Sequence, residues 1–194
     1  MKKIKALAII PAKSDSKRLP GKNKKVIAGL TLVEHAIRYV ENSAYVTDII
    51  LTSEDKETHE IGKKYNNNII SFGRDKSYMG EREVVDVYVN ICNQINDIEE
   101  YTHIVGIQPD HPDRTKNIDD LLEYVVDNKY DDFFTINKDG TRNGSVRIFK
   151  AEHVSKGYIS RRVGSQFDFA TNIHNNDDLK KAEENINEQL HKKP

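Results

Sequence analysis

Short unbroken apolar runs that stop abruptly at proline or at polar residues are the feature that most restricts this chain. Residues 6–10 run into Pro11, residues 48–53 carry Ile49, Ile50 and Leu51, and residues 103–108 run into Pro109. Runs without alternation must be covered on both faces, as strands inside a parallel sheet are. Stretches of helical period lie between them. Leu32, Val33, Ala36, Ile37 and Val40 follow Thr31, with Glu34 placed three residues on to complete a capping box. Residues 55–65, 83–95 and 117–128 read as further helices, and 69–72 and 132–136 as further strands. The alternation predicts an α/β fold with a mostly parallel, doubly wound sheet in a single domain over residues 1–194.

Asp139-Gly140 is a turn signal, and the alternation over 145–149 then predicts an antiparallel addition to the sheet. Residues 177–190 form a polar helix with Leu179, Ala182, Ile186 and Leu190 on one stripe, fraying over 191–194. Lys and Arg number 30 against 31 Asp and Glu, a net charge of -1 that gives no global pull toward nucleic acid or an anionic membrane. No segment approaches the roughly 20 apolar residues that span a bilayer. The apolar stretch behind Met1 is too short for a signal peptide, so the cytoplasm is the expected address. The single cysteine, Cys92, sits in an apolar run and reads as a core residue.

Open α/β sheets bind ligands beyond the carboxyl ends of their strands, which directs attention to the loops after Ile10 and Gln108. Residues 13–25 of the first loop concentrate cations suited to a triphosphate. A Walker A loop is excluded, because Asn23 stands where Ser or Thr holds magnesium and no upstream glycine has the required spacing. An ordinary solvated basic loop is the competing reading.

Residues 8–13, Ala-Ile-Ile-Pro-Ala-Lys, followed by Ser16-Lys17-Arg18-Leu19-Pro20-Gly21-Lys22-Asn23, resemble the opening signature of the acylneuraminate cytidylyltransferase (CMP-sialic acid synthetase) family. The likeness continues in Leu51-Thr52-Ser53-Glu54-Asp55, Phe72-Gly73-Arg74, residues 108–115 and Asn143-Gly144-Ser145-Val146-Arg147-Ile148-Phe149. It implies a GT-A-like nucleotidyltransferase fold in which an acidic sugar's hydroxyl attacks the α-phosphorus of CTP, with Mg2+ as cofactor. It also implies roles by position. Lys13, in place of the family's usual Arg, would stand beside the triphosphate with Ala12, Ser16 and Lys17. Lys22 and Asn23 match a Lys-Asn pair near the phosphates, and Arg74 and Gln108 match positions around nucleotide and acceptor. Lys13 keeps the charge but loses the bidentate fork.

Two departures from the family stand out. Asn172-Ile173-His174 occupies the place of the family's Asp-Ile-Asp metal motif; Asn172 retains a carbonyl oxygen, whereas His174 suits magnesium poorly. Asp110, in a Gln-x-Asp-x-Pro context similar to the related Kdo cytidylyltransferases, is expected to restore a metal carboxylate, with Asp168 as a second candidate or a salt-bridge partner of Arg161 and Arg162. The second departure is the brief 137–142 connection, where the family carries a longer segment for acceptor binding and dimer contact. A smaller acceptor, carrying carboxylate, phosphate or phosphonate, follows as an alternative, and any homodimer would need another route.

Of seven histidines, His35, His59, His153 and His191 read as surface helix residues and His103 as a packed neutral imidazole. His111, beside Asp110, is the one candidate for acceptor contact or base. Tyr78-Met79 is expected to pack. Three readings emerge: cytidylyl transfer to a sugar acid, the same transfer to a small acidic acceptor, and nucleotide binding without catalysis.

Overall fold

A computed structural model describes residues 3–65, 69–73, 83–156 and 160–192, with backbone alone for 155 and 156. The expectations for Arg74 and for Tyr78-Met79 lie outside the described residues.

Seven strands form one sheet: β1 (Ala6–Pro11), β4 (Val46–Ser53), β5 (Ile69–Gly73), β6 (His103–Ile107), β7 (Asp132–Ile136), β8 (Arg142–Lys150) and β9 (Val163–Phe167), in the order β5-β4-β1-β6-β8-β7-β9. Every pairing is parallel except those of β8, which runs antiparallel to β6 and β7. The antiparallel addition expected over 145–149 is therefore present, but it lies inside the sheet rather than at its edge.

Helices cover both faces. On one, α1 (Leu32–Glu41) and α4 (Ile118–Asp127) bury Val33, Ile37, Leu121 and Val125 against Ala8, Ile10, Val105 and Phe133, with Ile61 of α2 (Lys56–Gly62) packed alongside. On the other, α3 (Val84–Cys92) and the short α5 (Ala151–Lys156) cover Leu7, Ile9, Ile50 and Ile104. Gly106 permits this second layer, because a Cβ there would lie 2.4 Å from the Tyr88 ring. Tyr88 itself is buried across β6 in edge contact with Phe149.

Local signals behave as their chemistry requires. The Thr31–Glu34 capping box forms on α1, Asp55 caps α2 and Asn117 caps α4. Cys92 is buried, and burial pushes its thiol up to about 12. His103 is buried too; burial first, then Lys150, brings it down to about 4, so it is a neutral core imidazole. His35 and His59 are half-buried rather than exposed, and each ring meets a backbone carbonyl, Ile27 O at 3.0 Å and Ser53 O at 2.8 Å.

A hairpin of β2 (Val26–Ile27) and β3 (Leu30–Thr31), the strand β9 and the helix α5 have no counterpart in the sequence reading. The hairpin matters for position. Ile27 joins Leu19, Leu32, Ile173 and, from α6 (Asn176–His191), Ala182 and Ile186 in a third apolar cluster. This cluster fastens the cationic loop and the C-terminal helix to the same end of the sheet. No helix among the described residues is long and apolar enough to cross a membrane.

Candidate active site

The carboxyl ends of β1, β4 and β6 carry the candidate site. Where β1 ends, Ala12 N donates to Thr52 O at 2.9 Å, which leads the chain off the sheet into the cationic loop. Two side chains set the loop's course: Glu54 Oε1 accepts from both the amide and the hydroxyl of Ser14 at 2.6 Å, and the buried Asn23 donates from Nδ2 to Lys13 O at 2.8 Å. Lys24 is tied to Asp55 and Glu57 at 3.1 and 2.5 Å. Lys13 Nζ lies 3.6 Å from Asp15, Ser16 is half-buried and Lys17 is exposed.

Gly21, at φ +64, turns the chain into the 3-10 turn Lys22–Lys24, from which Lys22 reaches the turn after β6. Its Nζ donates to Asp110 Oδ2 at 2.5 Å and to Ile173 O at 3.1 Å. Asp110 sits in the turn after β6. Its other oxygen, Oδ1, lies 3.0 Å from His111 Nδ1, and an ionised carboxylate only accepts, so that ring nitrogen carries the proton. Burial pushes the Asp110 carboxyl up, but His111 and the Lys22 ammonium outweigh it and hold the group well below the usual carboxylate range. Ile173 N closes the circuit by donating to Asp110 O at 2.9 Å.

Segment 172–174 is held from its far side by the α6 capping box. Asp178 Oδ2 accepts from His174 N and Asn175 N at 2.8 and 3.1 Å, while Asn175 caps Asp177 and Asp178. The pattern Asn175-x-x-Asp178 was a legible signal that the sequence reading passed over. Asn172 is exposed. His174 is half-buried with Nδ1 inside and unbonded; burial first, then Arg18 and Lys22, keep its ring neutral against the pull of Asp110 and Asp178.

Asp168 has a different setting from the one expected. Neither Arg161 nor Arg162 is its partner: Oδ1 accepts from Thr115 N, Thr115 Oγ1 and Lys116 N at 2.8–3.0 Å, and Oδ2 from Ser145 Oγ at 3.2 Å. With both oxygens engaged by neutral donors, this buried carboxylate is a clamp between β8, the end of β9 and the loop before α4. His111 also departs from expectation. It is 1% exposed and bonded through Nδ1 to Asp110, so it is a buried partner of that carboxylate with no open face for an acceptor contact.

Two buried groups that the sequence reading did not single out complete the frame. Arg114 donates to Ser145 O and to Gln108 O and stacks on Tyr39, fixing the loop after β6. Asp113 binds Thr171 and Asn185. Gln108 lies over Gly144, at φ +76, where a Cβ would approach its amide to 2.8 Å. Beside it opens a cleft of about 210 Å³ lined by Tyr88, Gln108, Phe134, Arg142, Asn143 and Arg147, among others.

Among the described residues no three His, Cys, Asp or Glu side chains group as metal ligands. Among the described residues the donors therefore make no all-protein cage. They fit magnesium carried by phosphates, which needs only one or two carboxylates from the protein, and Asp110 offers one.

A family model described as Cytidylyltransferase matches residues 7–191. Over 119 residues the chain is 34% identical to a pseudaminic acid cytidylyltransferase of Campylobacter jejuni, covering 59% of this chain and 50% of that protein. It is 30% identical over 112 residues to a 3-deoxy-manno-octulosonate cytidylyltransferase of Leptospira interrogans, covering 58% and 41%. The chain thus spans about half the length of the curated relatives it matches. Among solved structures, a CMP:2-keto-3-deoxy-manno-octonic acid synthetase complexed with CTP superposes with a TM-score of 0.71 at 14% identity, covering 96% of this chain and 100% of that one. A 4-diphosphocytidyl-2C-methyl-D-erythritol synthase of Anaerococcus prevotii gives 0.65 at 12% identity, covering 95% and 96%. The fold expected from the sequence is the fold of these proteins.

Proposed function

Because the chain belongs to the cytidylyltransferase family, we propose that it transfers CMP from CTP to an acidic acceptor and releases pyrophosphate. The observation that carries this reading is the Lys22–Asp110 pair. It sets a cation and a carboxylate together where β1 and β6 end, under a loop rich in lysine.

In the reaction an acceptor hydroxyl oxygen bonds to the α-phosphorus as the bond to the bridging oxygen breaks, the hydroxyl proton passes to solvent, and pyrophosphate leaves with the electron pair. Lys13, Lys17 and Lys22 balance the triphosphate charge, and positioning together with that neutralisation supplies most of the rate. Asn23 acts through the loop backbone that it holds, while Ala12, Ser16, Gln108 and, on the strength of the resemblance, Arg74 line the nucleotide. Asp110, ionised at neutral pH, would hold Mg2+ together with phosphate oxygens, with the Asn172 carbonyl as a neighbouring oxygen donor. Bound there, the ion would neutralise charge on the α-phosphate. His111 orients Asp110. Asp168, committed to its clamp, is left out of the metal set, and His174 is a nitrogen donor that magnesium disfavours.

Sugar acids of the sialate and Kdo type are the first acceptor class. A compact carboxylate, phosphate or phosphonate is the second, favoured by the tight 137–141 turn, where Asn137 N donates to Thr141 O at 2.8 Å, and by the small cleft beside Gln108. The reading carries a cytoplasmic address, no nucleic-acid or membrane partner, and self-association, if any, without the family's longer segment. Incubating the protein with each nucleoside triphosphate, magnesium and a panel of both acceptor classes, and measuring pyrophosphate, tests it. CTP-specific release with an acidic acceptor is expected; CTP binding with no release for any acceptor would leave a binding protein.

A further inference from the structure

We infer that Lys22 and the incoming divalent cation are alternative occupants of the Asp110 carboxylate, so that arrival of the metal–nucleotide frees the Lys22 ammonium to move onto the triphosphate. The inference rests on the nucleotidyl-transfer reading above and adds to it a stored counter-ion.

Each oxygen of Asp110 already has a partner, Oδ2 the Lys22 ammonium at 2.5 Å and Oδ1 the His111 ring at 3.0 Å. The Lys22 and Asp110 side chains are 13% and 17% exposed, so water offers little substitute for either partner. His111 is buried and adjoins Asp110 in the chain, whereas Lys22 reaches the carboxylate from the separate turn Lys22–Lys24 on a flexible four-carbon stem. Lys22 is thus the partner that can withdraw. A dication and an ammonium cannot share one carboxylate oxygen at close range without strong repulsion.

Charge then favours a concerted exchange. Removing Lys22 alone would leave the poorly solvated carboxylate with His111 as its remaining side-chain partner, and bringing a triphosphate alone would compete with Asp110 for the same ammonium. A metal–nucleotide meets both demands at once, since the metal replaces Lys22 on Asp110 while the phosphates receive Lys22. Ile173 O, the ammonium's second acceptor, lies between Asn172 and His174, neither of which is a carboxylate. Segment 172–174 therefore supplies no acidic side chain that could take the metal and leave the ion pair intact.

The two halves of the exchange are tested separately. Without nucleotide, Mn2+ binding is followed by electron paramagnetic resonance in the wild type, in Lys22→Ala and in Lys22→Ala/Asp110→Asn. Freeing a carboxylate from an adjacent cation should tighten cation binding about tenfold or more in Lys22→Ala, and the added Asp110→Asn should abolish the gain. In EDTA, calorimetry of CTP should show Asp110→Asn binding more tightly than the wild type, and the double variant more weakly than Asp110→Asn. If Lys22→Ala binds Mn2+ no more tightly than the wild type, the exchange is overturned, and this arm decides even if Asp110→Asn fails to fold. Failure of the pyrophosphate assay with all acceptors, by contrast, would remove the transfer reading and leave the Mn2+ result readable by itself.

Discussion

Asp113 grips Thr171 with both carboxylate oxygens, Oδ1 accepting the Thr171 amide and Oδ2 its hydroxyl, each at 2.7 Å. Asn185 of α6 donates to the same Oδ2 at 2.8 Å, and Gln189 donates to Asp113 O at 3.1 Å. One buried aspartate three residues past Asp110 thus ties the loop after β6 to the C-terminal helix and to Thr171, two residues before Ile173. Replacing it by alanine strands three donors, at a cost of about 3 kcal/mol. Chemical denaturation of Asp113→Ala should report that loss, together with weaker protection of α6 amides from hydrogen exchange; an unchanged α6 would contradict the tie.

Three neighbouring lysines should behave differently. Lys22 is bonded to Asp110 and to Ile173 O, Lys24 is held by Asp55 and Glu57, and Lys25 is exposed. Lys22→Ala should therefore weaken binding of CTP with magnesium by about tenfold or more, as expected when a charged phosphate partner is lost. Lys24→Ala and Lys25→Ala should stay close to wild type by calorimetry. Equal small effects at all three positions would return the loop to an ordinary solvated face.

His103 supplies a pH signature. Its folded value, brought down to about 4 by burial and by Lys150, lies below its ordinary 6.5, so the unfolded chain binds the proton more readily. The stabilisation is complete above pH 6.5 and is lost as pH falls toward about 4, by an amount on the order of 3 kcal/mol. Unfolding free energies measured across that window should fall less steeply for His103→Gln than for wild type, and parallel slopes would show that another group titrates.

Gly144 should be intolerant of a side chain for two separate reasons. Its φ of +76 strains any L-residue, and a Cβ would come within 2.8 Å of the Gln108 amide. Gly144→Ala should cost about 1–2 kcal/mol in stability and should also raise the KM for nucleotide or acceptor by displacing Gln108. A stability loss with KM unchanged would mean that Gln108 stands outside the substrate site.

Much of the architecture was determined by the amino-acid sequence itself, because the signals are local. An apolar run such as 6–10 can only be buried on both faces, and Thr31 with Glu34 caps a helix through atoms three residues apart. The positions of Lys22 and Asp110 were legible as well, through the loop composition and the resemblance around them. Their meeting was not, since the bond joins residues 88 apart in sequence. The roles of Asp168 and His111 were likewise decided in three dimensions. A carboxylate reads the same in sequence whether it faces a cleft or four donors, and only the return of β9 beside β7 brings Asp168 to Thr115 and Ser145. Strand β9 was itself invisible, because Val163–Phe167 has little apolar character of its own and acquires its conformation from the parallel ladder with Asp132–Ile136. Helix caps and apolar periods depend on neighbours along the chain; the charge pairs of the site depend on which distant loops the sheet order brings together.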